Sequence, residues 1–240
     1  MLKEAIVLAG GFGTRLRSMV DDIPKPMALI KNIPFLAYLL QQLQKYNFEK
    51  VVLAAGYKYE VIESYFGKSF RNLRLDYSIE EEPLGTGGAI FKAISLVNAD
   101  YCFVLNGDTF FNVDLNSLEE KFLRTNSGLM VALKPMVNFD RYGSVETDNV
   151  KIVSFKEKKF CKEGLINGGV YVVRKDWLEG RVTGKIFSFE KDVLEKAVYK
   201  DKISYYISDG YFIDIGIPED YRRAARELPE IYPPTPLNGG

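Results

Sequence analysis

Residues 5–16 read Ala-Ile-Val-Leu-Ala-Gly-Gly-Phe-Gly-Thr-Arg-Leu, an apolar run stopped by a glycine-rich turn that ends on an arginine. A short apolar run bounded by glycine is the pattern of a strand buried on both faces, and the carboxyl end of such a strand is where open α/β sheets receive ligands. Glycine lets backbone N–H groups approach phosphate oxygens closely, and Arg15 adds a planar guanidinium able to hold a phosphate by two hydrogen bonds. The segment fits neither common phosphate template. A dinucleotide fingerprint needs a third glycine where Leu16 stands, and a Walker loop needs Gly-Lys-Ser/Thr. Taken alone, the turn is as readily structural as functional.

The rhythm continues outward from this strand. Val51 to Ala54, Leu73 to Ile79, Tyr101 to Leu105 and Leu129 to Leu133 are further β-rich runs, and helical periods separate most of them. Phe35, Leu36, Leu39, Leu40 and Leu43 follow Pro34 at a 3.6-residue period; Val61, Ile62, Tyr65 and Phe66 end at Gly67; Ile90, Phe91, Ile94 and Val97 mark another helix. This alternation predicts an α/β fold with a mostly parallel sheet covered by helices, and these apolar positions read first as core. From Tyr142 to Val173 strands follow one another without helices: Gly143 to Glu146, Val150 to Phe155 and Gly169 to Val173. Ser188 is placed to cap a helix carrying Phe189, Val193, Leu194 and Ala197, a strand follows near Ile203 to Ile207, and Pro218 opens a last helix. A single domain is expected over residues 1–226, with a first part of about 1–134, a sheet-extending substrate region of about 135–226 and a disordered tail over 227–240.

Composition narrows the chemistry. The 240 residues carry 32 Lys plus Arg against 32 Asp plus Glu, so no overall positive field exists to hold a nucleic acid or an anionic membrane. The apolar runs fall far short of the roughly 18 residues of a membrane span, and Met1 to Glu4 leads directly into a strand-like run without the pattern of a signal peptide. Two cysteines, Cys102 and Cys161, are too few for a disulfide framework, which makes a reducing cytoplasm the simplest home. The absence of histidine removes Ser-His-Asp and Cys-His chemistry and any imidazole base.

Several further segments gather polar groups at strand or helix ends. Lys25 lies between Pro24 and Pro26, whose restricted φ angles stiffen the backbone that presents its ammonium, although a solvated turn lysine would look the same. Gly85-Thr86-Gly87-Gly88 precedes the helix of Ile90 to Val97, so its N–H groups would form an anion or base-edge cradle at a positive helix end, or merely a loop. Asn106-Gly107-Asp108 closes the strand Tyr101 to Leu105, and Asp214-Ile215-Gly216 closes a short run from Tyr211 to Ile213. Two carboxylates converging on phosphates are how magnesium is usually held, yet each alone could be a turn former or helix cap. Glu157 and Lys158, after the strand Val150 to Phe155, and Asn167-Gly168-Gly169, before Val170, could reach a sugar; the run of Lys156, Lys158 and Lys159 reads equally as a solvated face.

In this order, the segments resemble the sugar-1-phosphate nucleotidyltransferase family, from Ile6 to about Tyr221. Its opening signature, Gly-Gly-x-Gly-Thr-Arg-Leu, stands as Gly10 to Leu16, its Pro-Lys-Pro as Pro24 to Pro26, and its metal aspartates as Asp108 and Asp214. Glu82 to Gly88, Phe139 to Gly143, Leu165 to Gly169 and Tyr211 to Asp220 look most like the D-glycero-D-manno-heptose 1-phosphate guanylyltransferases within it. The resemblance implies a Rossmann-like three-layer sandwich of the nucleotide-diphospho-sugar transferase type, a mixed and mostly parallel sheet, and a Mg2+ cofactor. It implies that Arg15, Lys25, Asp108 and Asp214 are catalytic, with Asp108 and Asp214 on the metal. Ala9, Gly10, Gly11, Gly13, Thr14, Gly85, Thr86 and Gly87 would bind a nucleoside triphosphate; Gly143, Glu157, Lys158, Asn167 and Gly168 would bind a sugar 1-phosphate. Guanine and heptose rest on the resemblance alone. Three alternatives stay open: another donor and sugar pair, a nucleotide-sugar glycosyltransferase, and a non-catalytic regulatory homologue. The glycosyltransferase typically carries Asp-x-Asp where Asn106-Gly107-Asp108 stands. Apolar surface that the sequence does not map would make a homodimer unsurprising.

Overall fold

The computed structural model describes residues 3–11, 23–181 and 184–234. In chain order its elements are β1 (Glu4–Leu8), β2 (Leu29–Ile30), β3 (Ile33–Pro34), α1 (Phe35–Lys45), β4 (Lys50–Ala55), α2 (Tyr59–Phe66), β5 (Ser69–Phe70), β6 (Leu73–Ile79) and α3 (Gly85–Ile94). Then come β7 (Tyr101–Asn106), β8 (Thr109–Phe111), α4 (Leu115–Arg124), β9 (Leu129–Phe139), β10 (Gly143–Thr147), β11 (Ile152–Lys158) and β12 (Cys161–Arg174). After α5 (Lys175–Glu179), a π-helical segment Phe189–Leu194 runs into α6 (Glu195–Ala197), followed by β13 (Ile203–Ile207), β14 (Phe212–Asp214) and α7 (Pro218–Ile231).

A ten-stranded mixed sheet organises these parts in the order β11-β10-β12-β7-β1-β4-β6-β5, with β9 beside β12 and β13 beside β9. β1 pairs in parallel with both β4 and β7, and β4 in parallel with β6, so the carboxyl ends of these four strands share one edge. β12 is the joint between the halves. Its distal part, Val170 to Arg174, runs antiparallel to β7, while its proximal part is antiparallel to β10, and β9 flanks it along nearly its whole length.

Strand alternation splits the apolar residues into two cores, one on each face of the sheet. Ala5, Val7, Val51, Leu53, Phe103 and Leu105 face one core with α1 and α4, whereas Ile6, Val52, Ala54, Cys102 and Val104 face the other with α3 and the Phe189 segment. All of these strand residues are essentially inaccessible to solvent, as a three-layer sandwich requires. Among the described residues no helix is long and apolar enough to cross a membrane.

The structure corrects several expectations. The strand expected over Gly169 to Val173 is the end of a 14-residue strand, and β9 likewise extends to Phe139, because each supplies the other's hydrogen bonds far beyond its apolar stretch. Ser188 does cap a helix, accepting the N–H of Lys191 at 3.2 Å, but its first turns are π-helical. The glycine run at 85–88 is the first turn of α3, not a loop before it. Disorder from residue 227 is overturned as far as residue 234. Leu228 and Tyr232 lie in the first core, and the Tyr232 ring packs 5.2 Å from that of Phe110, so α7 is held past Pro229 by burial. Residues 235–240 lie outside the described residues.

Candidate active site

The carboxyl edge of β1, β4, β6 and β7 opens into a cleft of about 510 Å³. Gly10 and Gly11 follow β1, Gly56 and Tyr57 follow β4, Glu80 to Glu82 follow β6, and Asn106 to Asp108 end β7; all of them line it. Gly85 and Thr86 of α3 and the Lys25-Pro26 pair close it. Convergence follows from the parallel pairing, since strands that run together also end together.

Lys25 is held as the flanking prolines suggest. Pro24 and Pro26 are both buried, and Lys25 to Met27 form a single 3-10 turn closed by Ala28 N–H donating to Lys25 O at 3.0 Å. Beneath this turn, Gly107 N–H donates to Leu8 O at 3.0 Å, and a β-carbon on Gly107 would lie 2.3 Å from that carbonyl oxygen and 3.3 Å from Pro26. Only glycine lets β1, β7 and the proline turn meet so closely. The next residue, Asp108, is thereby brought under Lys25.

Asp214 arrives from the far end of the chain. β8 and β14 form a two-stranded ribbon in which Asp214 pairs with Thr109, and Ile215 N–H donates to Asp108 O at 3.0 Å. Lys25 Nζ therefore sits 2.5 Å from Asp108 Oδ2 and 3.7 Å from Asp214 Oδ1. Burial first, and the charge of Asp108 second, push the Asp214 carboxyl above its usual range, while Lys25, the Gly216 N–H and Arg141 pull it down. The two aspartates are thus near enough to feel each other and are gathered around one positive charge.

This donor set fits a magnesium ion. A hard divalent cation takes carboxylate oxygens and completes its octahedron with phosphate oxygens and water. Among the described residues no group of three or more His, Cys, Asp and Glu side chains could hold a metal. A pair of carboxylates beside an open cleft suits an ion that is completed by its phosphate ligands.

The other expected site residues divide. Gly10, Gly11, Gly85 and Thr86 line the cleft. Gly13, Thr14 and Arg15 lie outside the described residues. Ala9 is buried in the core, with its N–H given to Ala54 O at 2.7 Å. The N–H cradle expected at Gly87 is corrected: Gly87 and Gly88 donate to Phe187 O at 3.0 and 3.4 Å, and the Thr86 hydroxyl donates to Glu190 at 2.7 Å. A protein carbonyl thus takes the N–H groups of Gly87 and Gly88.

Gly143, Glu157, Lys158, Asn167 and Gly168 lie on β10, β11 and β12 and are not among the residues that line the cleft. Gly143 pairs with Lys158 across β10 and β11, and Glu157 and Lys158 are both exposed. The Asn167 amide is engaged, donating to Tyr171 Oη at 2.9 Å and accepting the Gly169 N–H at 3.0 Å, where it shapes the irregularity in β12. A β-carbon on Gly168 would lie 2.5 Å from the Phe111 ring, so packing alone demands glycine there. The β10 end nonetheless abuts the metal-candidate strand, because the Tyr142 ring meets that of Phe212, two residues before Asp214, at 5.7 Å and 80°.

Sequence reasoning missed the walls formed by Gly56, Tyr57 and Glu80 to Glu82. The rule that found Gly10 and Asp108, polar or glycine residues at the carboxyl end of a parallel strand, applied to β4 and β6 would have found them.

The sequence profile of the nucleotidyl transferase family matches residues 4–231. The chain is 50% identical over 225 residues to a D-glycero-alpha-D-manno-heptose 1-phosphate guanylyltransferase of Aneurinibacillus thermoaerophilus, covering 94% of this chain and 98% of that one. It is 49% identical over 219 residues to the Campylobacter jejuni protein of the same name, covering 91% and 96%. The crystal structure of HddC from Yersinia pseudotuberculosis complexed with GMP-PN superposes with a TM-score of 0.85 at 37% identity, over 95% of this chain and 100% of that one.

Proposed function

The chain belongs to the nucleotidyl transferase family, and from that membership we propose that it transfers GMP from GTP to D-glycero-α-D-manno-heptose 1-phosphate and releases pyrophosphate. The observation that carries the reading is the meeting of Asp108 and Asp214 around Lys25 at the mouth of a strand-edge cleft. That meeting occurs in a chain about half identical, over nearly its full length, to two proteins named for this reaction.

A phosphate oxygen of the sugar 1-phosphate forms a bond to the α-phosphorus of the triphosphate, and the bond from that phosphorus to the β-phosphate oxygen breaks. The nucleophile needs no general base, because a phosphate monoester has a second pKa of about 6 and is already ionised at neutral pH. This suits a chain without histidine. The main barrier is repulsion between two anions. Lys25, held rigidly between buried prolines, opposes it with a fixed charge, and Arg15 is assigned a similar part by family resemblance. When bound by Asp108 and Asp214, Mg2+ supplies charge neutralisation on the phosphates.

Guanine is supported by the wall of the cleft as well as by the relatives. Glu80, Glu81 and Glu82 line it in succession, with Glu80 already accepting the Leu84 N–H at 3.0 Å and Glu82 paired with Lys185. A carboxylate only accepts hydrogen bonds, and guanine offers adjacent N1–H and N2–H donors, whereas uracil and thymine present one N–H flanked by two carbonyl oxygens that a carboxylate repels. Lys158, Glu157 and the β10–β12 strands are assigned the sugar phosphate. Cytoplasmic residence and a role in building surface polysaccharide belong to the same proposal.

The test is pyrophosphate release across GTP, ATP, UTP and dTTP with heptose, mannose and glucose 1-phosphates, with and without magnesium. The expected result is release confined to GTP with the heptose phosphate and dependent on the metal. Release with UTP or dTTP and a hexose 1-phosphate would overturn the substrate assignment. No release with any pair would overturn the reaction.

A further inference from the structure

Arg141 lies two residues before Gly143, in the turn between β9 and β10, and is half-buried. Its Nη1 donates to Asp220 Oδ2, and Arg223 Nη2 donates to the other oxygen of the same carboxylate at 3.2 Å. Asp220 is buried in the first turn of α7, the helix that begins four residues after Asp214. One buried carboxylate thus carries two guanidinium groups, which leaves a surplus of positive charge beside the candidate metal carboxylates.

The position of that surplus is set by packing. The Arg141 guanidinium lies 5.7 Å from the Tyr142 ring, which meets Phe212 of β14 edge-on, and Phe212 in turn meets Phe111 of β8 at 5.8 Å. The chain of rings ends on the ribbon that brings Asp108 and Asp214 together. Burial alone would lower the Arg141 pKa, but the hydrogen bond and charge of Asp220, with Asp214 contributing, hold it above the ordinary arginine value. The guanidinium is therefore a permanent charge.

From this placement we infer that Arg141, aimed by Asp220, grips the phosphate of the sugar 1-phosphate as it approaches the nucleotide cleft. The inference rests on the proposed function and names a further residue for it. A guanidinium has five N–H donors in a rigid fork, and among the described residues Asp220 takes one of the two at Nη1. Its fork matches two phosphate oxygens, and the side chain keeps 37% of its accessibility. Arg223, on the same carboxylate but within α7, serves as the internal control for a purely structural ion pair.

The test compares Arg141→Gln, Arg141→Lys and Arg223→Gln with the parent protein. Heptose 1-phosphate, GTP and inorganic phosphate are each titrated by calorimetry, with steady-state pyrophosphate release and thermal unfolding alongside. For Arg141→Gln the sugar phosphate and inorganic phosphate are expected to bind about ten- to a hundred-fold more weakly, the range of one lost charge-assisted contact, while GTP binding is unchanged. Arg141→Lys should recover part of that loss, and Arg223→Gln should leave sugar phosphate affinity near the parent value. Equal losses in Arg141→Gln and Arg223→Gln, or a fall in melting temperature with sugar phosphate affinity intact, overturns the inference. A parent protein that turns over no substrate pair refutes the proposed function instead, and phosphate titration then still reads the Arg141 effect.

Discussion

Replacing Asp108 with asparagine separates chemistry from folding at the point where the site is built. Asparagine has the same shape and keeps one oxygen, for Lys25, while its amide nitrogen faces the Thr109 hydroxyl, which now donates to Asp108 Oδ1 at 3.2 Å and can turn to accept instead. The main-chain carbonyl that receives the Ile215 N–H is untouched, so the β8–β14 ribbon persists. The Asp108 side chain is 38% exposed, which lets solvent screen its ion pair with Lys25. Stability should therefore change by less than about 1 kcal/mol. On the proposed mechanism turnover should fall far more, because the carboxylate proposed to anchor the metal is gone, and with it the cation that would offset phosphate repulsion. Removing one preorganised electrostatic group from a transition-state site costs about 2.7–4 kcal/mol, or about a hundred- to a thousand-fold in rate. The assay is the initial rate of pyrophosphate release at saturating GTP and heptose 1-phosphate over a magnesium titration, with thermal unfolding measured on the same samples. Half-saturation by magnesium should move to higher concentration. Turnover near that of the parent removes Asp108 from the site, and a loss of turnover matched by a collapse in melting temperature removes the electrostatic explanation.

Three further outcomes follow from the geometry. Because burial and Asp108 raise the folded-state pKa of Asp214, the folded chain binds more protons than the unfolded chain between the two pKa values, and ligand-free stability falls as pH rises through that window. Asp214→Asn should thus melt at a higher temperature than the parent at pH 7, with the difference closing below the unfolded value of about 3.9; a lower melting temperature at pH 7 refutes this. Gly107→Ala forces a methyl group to within 2.3 Å of the Leu8 carbonyl, which is backbone and cannot move aside cheaply, so a loss of about 1–3 kcal/mol by chemical denaturation is expected, together with weaker turnover. Lys158→Ala should weaken sugar phosphate binding by roughly ten-fold, the smaller effect of losing one exposed point charge, and spare GTP; calorimetric titration of each ligand decides.

The layered fold is written locally. Apolar runs such as Ala5 to Ala9 and Tyr101 to Leu105 announce buried strands, and their alternate residues feed two cores because successive side chains on a strand point to opposite faces. Pro34, Ser188 and Pro218 mark helix starts through their own backbone and side-chain chemistry, which needs no distant partner. The same local rules understated β9 and β12. Their outer halves mix Lys, Glu, Asn and Gly, and only the pairing of each with the other makes them strands. They also read 227–234 as tail, since Leu228 and Tyr232 become core residues only when α7 lies across β8.

For the site, sequence alone determined which residue types could do the chemistry: a stiffened lysine, two strand-end aspartates and glycines able to admit phosphate, in a chain with no imidazole. What it left open was who meets whom. Asp108 and Asp214 stand more than a hundred residues apart, and their approach depends on the antiparallel pairing of two three-residue strands that no local period announces. Likewise the protein carbonyl at Phe187 that takes the Gly87 N–H, and the buried Asp220 that gathers Arg141 and Arg223, are supplied by segments remote in the chain. Hydrogen bonds and charges act over a few ångströms of space, so their partners are decided by the tertiary fold and not by spacing along the chain.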